Sequence, residues 1–168
     1  MFNEYNIAVL FLRFGIAFLY LYAAYMNSRD KASLQWTIEN TKPLFRNTQL
    51  ADNTSFIRFF AYSGVLLMYL GGLSVLLGIE ARVGALLLLL FTAGGSIIHH
   101  RQKNDAKEIA VSNSANAELS AVAWSAFAAH FSNVLKNICL IFVLIFLFLN
   151  GAGKYQVSDV ILKLLTNK

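Results

Sequence analysis

Apolar residues in this chain gather into long unbroken runs rather than into the narrow stripes of a soluble domain. Four such runs cover about residues 7–25, 59–77, 83–98 and 134–149, and the first is interrupted only by Arg13. A bilayer hydrocarbon core about 30 Å thick takes roughly 20 mainly apolar residues per helix. The pattern therefore predicts an all-α membrane protein: a single-domain bundle of four transmembrane helices over residues 1–168, with N and C termini on the same side. The first run does not read as a cleaved secretion signal. Its leader MFNEYN carries an acid and no base, a base sits inside the run, and no convincing A-x-A site follows.

The polar segments divide unequally. Gly78-Ile79-Glu80-Ala81-Arg82 makes a tight turn between the second and third runs. The connection from Met26 to Arg58 holds the only proline, Pro43, and the string NTQLADNTS, so an irregular loop with one short helix around Leu34 to Asn40 is expected. In the connection from His99 to Asn133, the front half RQKNDAKEIAVSNSANAE reads as a solvent-exposed loop. The back half LSAVAWSAFAAHFS has no proline or glycine and flows into the fourth run. It forms either one helix of roughly 30 residues, about 45 Å long, or an interfacial segment that bends into the span. After the fourth run, Asn150-Gly151-Ala152-Gly153-Lys154-Tyr155 is a helix stop, and Ser158 and Asp159 open a short amphipathic C-terminal helix, VILKLL.

Composition agrees with a membrane location: 57% of residues are hydrophobic and only 14% charged. The formal charge of +5 does not imply nucleic acid, because the bases sit at run ends and in loops, where they meet lipid headgroups. The two long connections and their flanks hold nine Lys and Arg, against Arg82, Lys154, Lys163 and Lys168 on the other side. The positive-inside rule puts the long connections in the cytoplasm. The lone Cys139 excludes an internal disulfide, a CxxC redox pair and a cysteine-rich metal site, and reads as a packing residue.

Gly64-x6-Gly71-Gly72-x5-Gly78-x3-Arg82 in the second and third runs, the closing GAGKY, and Arg13 in the first run together resemble the DoxX family of small four-helix bacterial membrane proteins. The resemblance implies a multi-pass protein of the bacterial cytoplasmic membrane, related to the membrane subunit of a thiosulfate:quinone oxidoreductase. The sequence departs from the family in having Asn27 where a lysine is usual and Met68 where an acid is usual, and GAGKYQVSD is one residue longer than the usual closing motif.

Arg13 is the ionisable residue set deepest in a run, at a cost of about 2.5–3.5 kcal/mol for a charge at the bilayer centre. Arg13, Ala17, Tyr20, Ala24 and Asn27 fall on one helical stripe that should face the bundle interior. Arg13 either grips an anion, a quinone carbonyl or a headgroup, or it snorkels or pairs with Glu80. Thr92, Ser96 and His99 share a second stripe, followed by His100, with His130 on the same membrane side. His99 and His100 are candidates for a polar quinone-type site or for interfacial anchors. The spacing of the histidines and acids does not support a metal or haem site. The tyrosines and tryptophans either line an aromatic cavity or belong to the interfacial belts. Gly71, Gly72, Gly78, Gly94 and Gly95 are expected to let the second and third helices approach closely.

P-loop, dinucleotide and nucleophile motifs are absent, as are paired intramembrane carboxylates. The functional expectation is a membrane subunit or accessory protein without a cofactor of its own, contacting lipid, a partner in a redox complex or the quinone pool. The alternative is a protein that holds or transports a lipid, a quinone or another hydrophobic molecule within the bundle. The ligand-binding candidates are Arg13, Tyr20, Asn27, His99 and His100.

Overall fold

The computed structural model describes residues 4–157; Ser158, Asp159 and the expected amphipathic tail helix lie outside the described residues. The described residues form helices and turns, with four helices long and apolar enough to cross a membrane. These are α1 (Glu4–Ser28), α3 (Thr54–Leu77), α4 (Ala81–Ser112) and α5 (Ala117–Asn150). The shorter α2 (Lys31–Thr41) and a 3-10 turn (Lys42–Phe45) lie between α1 and α3. Side-chain caps fix three of the helix starts. Asp30 accepts from the backbone of Ser33, Asn53 from Phe56 and Asn116 from Leu119. The Ser33 N–H also holds the Asp30 carboxyl below its ordinary range, because the hydrogen bond favours the charged form.

One core joins all four long helices, through Val9, Ile16 and Tyr20 of α1, Met68 of α3, Leu88 of α4 and Leu144 of α5. The stripe expected on α1 does face inward: Arg13, Ala17, Tyr20 and Ala24 are each at most 3% exposed. A second small core of Ile38, Ile57, Ala61 and Phe45 seats α2 and the 3-10 turn on α3. The same turn is tied to α4 from the other side. Arg101 donates to the Pro43 carbonyl, and Arg46 forms a two-pronged ion pair with Asp105. The half-irregular first connection, with its helix at 31–41, is thus as the sequence suggests.

The second connection is largely exposed, as its composition suggests, but it is helix rather than loop. α4 continues without a break to Ser112, and α5 begins at Ala117, so only Asn113 to Asn116 separate them. At 1.5 Å per residue, the 32 residues of α4 and 34 of α5 reach about 48 and 51 Å, well beyond the hydrocarbon thickness. The protruding part is a helical hairpin. Its inner face carries Ala106, Ala110 and Ala123, all buried, and Ser120 donates to the Ala110 carbonyl across the pair. Alanine gives this segment high helix propensity and permits close helix contact, which outweighs its polar surface.

Candidate functional site

Arg13 is 1% exposed, and all its described partners are backbone carbonyls. Nε donates to Val75 O at 2.8 Å and Nη2 to Leu76 O at 2.9 Å, at the C-terminal end of α3. Nη1 donates to Ala152 O at 2.9 Å and to Tyr155 O, in the segment that follows α5. The last carbonyls of a helix have no intrahelical donor and carry the negative end of its dipole, so a buried guanidinium is their natural complement. Neither sequence reading of Arg13 describes this arrangement. It does not reach outward to a headgroup, it does not pair with Glu80, and the carbonyls use four of its five donors.

Three glycines make room for that knot. Gly78 ends α3 with φ +73°, and a Cβ there would lie 2.5 Å from Arg13 Nη2. Gly151 and Gly153 also have positive φ, which folds the GAGKY segment back so that its carbonyls face Arg13. Asn6 completes the closure by accepting from the Lys154 backbone N–H at 3.1 Å, and Tyr5 donates to the Asn150 side chain at 3.0 Å. The start of α1 is therefore bonded to the end of α5. Gly78→Ala combines left-handed strain with this clash and should cost about 1–3 kcal/mol. Unfolding by dodecyl sulfate titration in mild detergent measures it, with Gly15→Ala, which meets nothing within 4 Å, as the control.

Tyr20 is also committed to structure. Its hydroxyl is hydrogen-bonded to Thr92 Oγ1 in the core, and Thr92 Oγ1 is in turn bonded to the Leu88 carbonyl. His100 is exposed, with its ring Nε2 3.4 Å from Asn104 Nδ2. Arg13, Tyr20 and His100 thus share no site. Asn27 and His99 do, because both line a cleft of about 390 Å³ at the end of the bundle opposite Arg13. The cleft lies between the C-terminal end of α1, α2, the first half of α3 and the second half of α4.

Phe60, Val65, Met68 and Phe91 form much of its apolar wall. Its opening is marked by Phe59, Leu90 and Trp36, which line the cleft yet stay more than half exposed, the first two on apolar spans and Trp36 on the polar α2. At the α2 end polar side chains gather. His99 Nδ1 sits 3.2 Å from Nδ1 of His130 on α5, and Gln102 Nε2 donates to Asn40 Oδ1 at 2.9 Å. His130 was expected only to share a membrane side with His99, and the length of α5 is what brings the two rings together. No group of three or more metal-ligating side chains occurs among the described residues.

The glycines do not all serve the pairing expected of them. Gly71 does sit in the α3–α4 contact, against Gly84 and Leu88 of α4. Gly72 instead admits Leu21 of α1, Gly78 admits Arg13, and Gly95 faces Asn137 of α5. Gly94 borders the cleft, and a Cβ built on it meets nothing within 4 Å. What sequence reasoning missed was α2 as one wall of the cleft, with Trp36, Thr37 and Asn40 facing it. The available signal was Asp30 as a helix cap ahead of a proline-free stretch that runs from Lys31 to Lys42. No protein-family model, no curated protein and no solved structure matches this chain.

Proposed function

We propose that the protein binds a hydrophobic, membrane-dissolved molecule in the cleft between α1, α2, α3 and α4. The observation that carries this reading is the cleft itself. Its 390 Å³ falls in the range of small-molecule sites, and its walls are apolar with a few polar groups at one end, as such sites are built. Its mouth is flanked by Phe59 and Leu90 on the surface that would face lipid. In this reading the long connections lie in the cytoplasm, both termini lie on the opposite side of the membrane, and the membrane is the bacterial cytoplasmic one.

Gly94 provides the test, because it borders the cleft and a Cβ on it meets nothing within 4 Å, so that bulk can be added there without an immediate clash. After purification in mild detergent, native mass spectrometry should find a small hydrophobic molecule on the native chain and on Gly94→Ala, and none on Gly94→Phe. The alanine variant should also gain about 0.5–1 kcal/mol of stability, as expected for replacing a helix glycine with no clash. A native protein that carries no such molecule, or a Gly94→Phe variant that keeps it, would overturn the reading.

A second reading is an accessory subunit of a membrane redox complex or of its quinone pool, with no cofactor of its own. It is supported by the DoxX resemblance and by one feature of the surface. α5 is the least covered of the long helices: 17% of its most apolar stretch is buried, against 33% for α1 and α3. Copurification of oxidoreductase subunits in mild detergent, lost when the outward Phe142 and Leu149 of α5 are both changed to alanine, would favour this reading.

A further inference from the structure

The chemistry of the cleft's polar end selects among hydrophobic ligands. Among the described residues that line it, none is Asp, Glu, Lys or Arg. Arg29 flanks Asn27 and Trp36 on the outer side but is held against Asp30 at 3.4 Å, and the charge of Lys136 reaches only the His99 side. An ionised head beside Asn27 would therefore lose water and meet no unpaired counter-charge. Most of the polar groups present are already engaged with protein. Thr37 and Thr41 donate their hydroxyls to backbone carbonyls, as does Ser63. Gln102 donates to Asn40, Asn40 donates to the Trp36 carbonyl, and His99 is paired with His130.

Two groups stand apart. Asn27 and Trp36 line the cleft, and neither the Asn27 carboxamide nor the Trp36 indole N–H has a hydrogen-bond partner among the described residues. Asn27 is half-buried at the last turn of α1 and supplies two donors and an acceptor; Trp36, one α2 turn away from Asn40, supplies one donor. Together they complement an oxygen that accepts, on a head that carries no charge.

Resting on the reading of the cleft as a binding site, we infer that its ligand is an uncharged amphiphile with a hydroxyl or carbonyl head, held by Asn27 and Trp36, and with its chain against Phe60, Met68 and Phe91. Fatty-acid anions and cationic amphiphiles are rejected because no charged side chain lines the cleft and the neighbouring Arg29 and Asp30 neutralise each other. Asn27 determines this specificity.

Trp36 is itself the reporter. In a Trp124→Phe background it is the remaining tryptophan, and its fluorescence can be followed while three probes with one chain length are added below their micellar concentrations: dodecan-1-ol, dodecanoate at pH 8 and dodecyltrimethylammonium. Each titration is referenced to the Gly94→Phe variant to remove partition into detergent. Dodecanol should bind at least about tenfold more tightly than either ion, the worth of one hydrogen bond or more. Asn27→Leu should weaken dodecanol by about tenfold at unchanged Tm, and Asn27→Asp should shift preference toward the cation. Equal binding of dodecanoate, or dodecanol binding indifferent to Asn27→Leu and to Asn27→Asp, would overturn the inference while leaving the cleft a binding site. Should none of the probes give a signal that Gly94→Phe abolishes, the binding-site reading fails with it.

Discussion

Arg13→Met should destabilise the protein by at least about 3 kcal/mol, measured as dodecyl sulfate unfolding in mild detergent, although it adds apolar surface to an apolar helix. The substitution removes the only described side-chain donors to Val75 O, Leu76 O, Ala152 O and Tyr155 O. Buried carbonyls without a donor cost about 1–3 kcal/mol each, and those at a helix end have no intrahelical alternative. Water can reach some of them through the turn, which is why the expected loss is below the full sum. Arg13→Lys should recover part of it, since an ammonium offers three donors from one point where the guanidinium spreads four bonds over two segments. The same variant separates the two ends of the molecule. Because the cleft lies opposite this knot, Arg13→Lys should bind dodecanol as the native chain does. A Met variant as stable as the native protein would show that the guanidinium does not hold these carbonyls.

The charge inside the first run was legible in the sequence, and so was its inward direction; what it touches was not. A stripe at i, i+4, i+7, i+11 and i+14 fixes which face of α1 is buried, but the partners of Arg13 lie 62 to 142 residues away and are backbone atoms, which leave no mark in residue type. The motif residues did carry the information in a form that only the structure decodes. Gly78 and GAGKY stand in the sequence as helix stops, and in space they are the two sides of the Arg13 knot. Asn27 and His99 were singled out for their polarity at run ends. Their common cleft depends on α2 folding back over α3, which the small apolar contact of Ile38 with Ile57 and Ala61 secures.

Helix existence was legible and helix extent was not. Hydropathy marks where a helix meets lipid, and the third apolar run ends near Ile98. The backbone continues to Ser112 because the residues beyond are good helix formers with an alanine face that packs on α5. This extension decides the site as well as the shape. It carries Gln102 and Asp105 up to α2 and the 3-10 turn, and it lets α5 present His130 to His99.

Gly84→Ala and Gly94→Ala should have opposite signs although both replace a glycine within the same helix. Helix propensity favours alanine at either position by about 1 kcal/mol. At Gly84 a Cβ would lie 2.5 Å from Ser74 Oγ and 2.9 Å from the Gly71 carbonyl oxygen. The serine cannot simply turn away, because its hydroxyl is shared between the Ile79 and Glu80 carbonyls of the turn. The backbone oxygen moves only if α3 and α4 separate. Gly71 meets the same constraint from its own side, with the Gly84 carbonyl oxygen 2.9 Å and the fully buried Leu88 2.7 Å from its Cβ position. Gly84→Ala should therefore cost about 3 kcal/mol, at the upper end for overpacking. Combining it with Gly71→Ala should cost less than the sum, since the first substitution has already parted the helices. Further along, the same two helices line the cleft, so parting them at Gly71 and Gly84 should also weaken dodecanol binding, whereas Gly94→Ala strengthens the fold and leaves binding intact. Equal stability of the Gly84→Ala and Gly94→Ala proteins would mean that this contact does not set the spacing of α3 and α4.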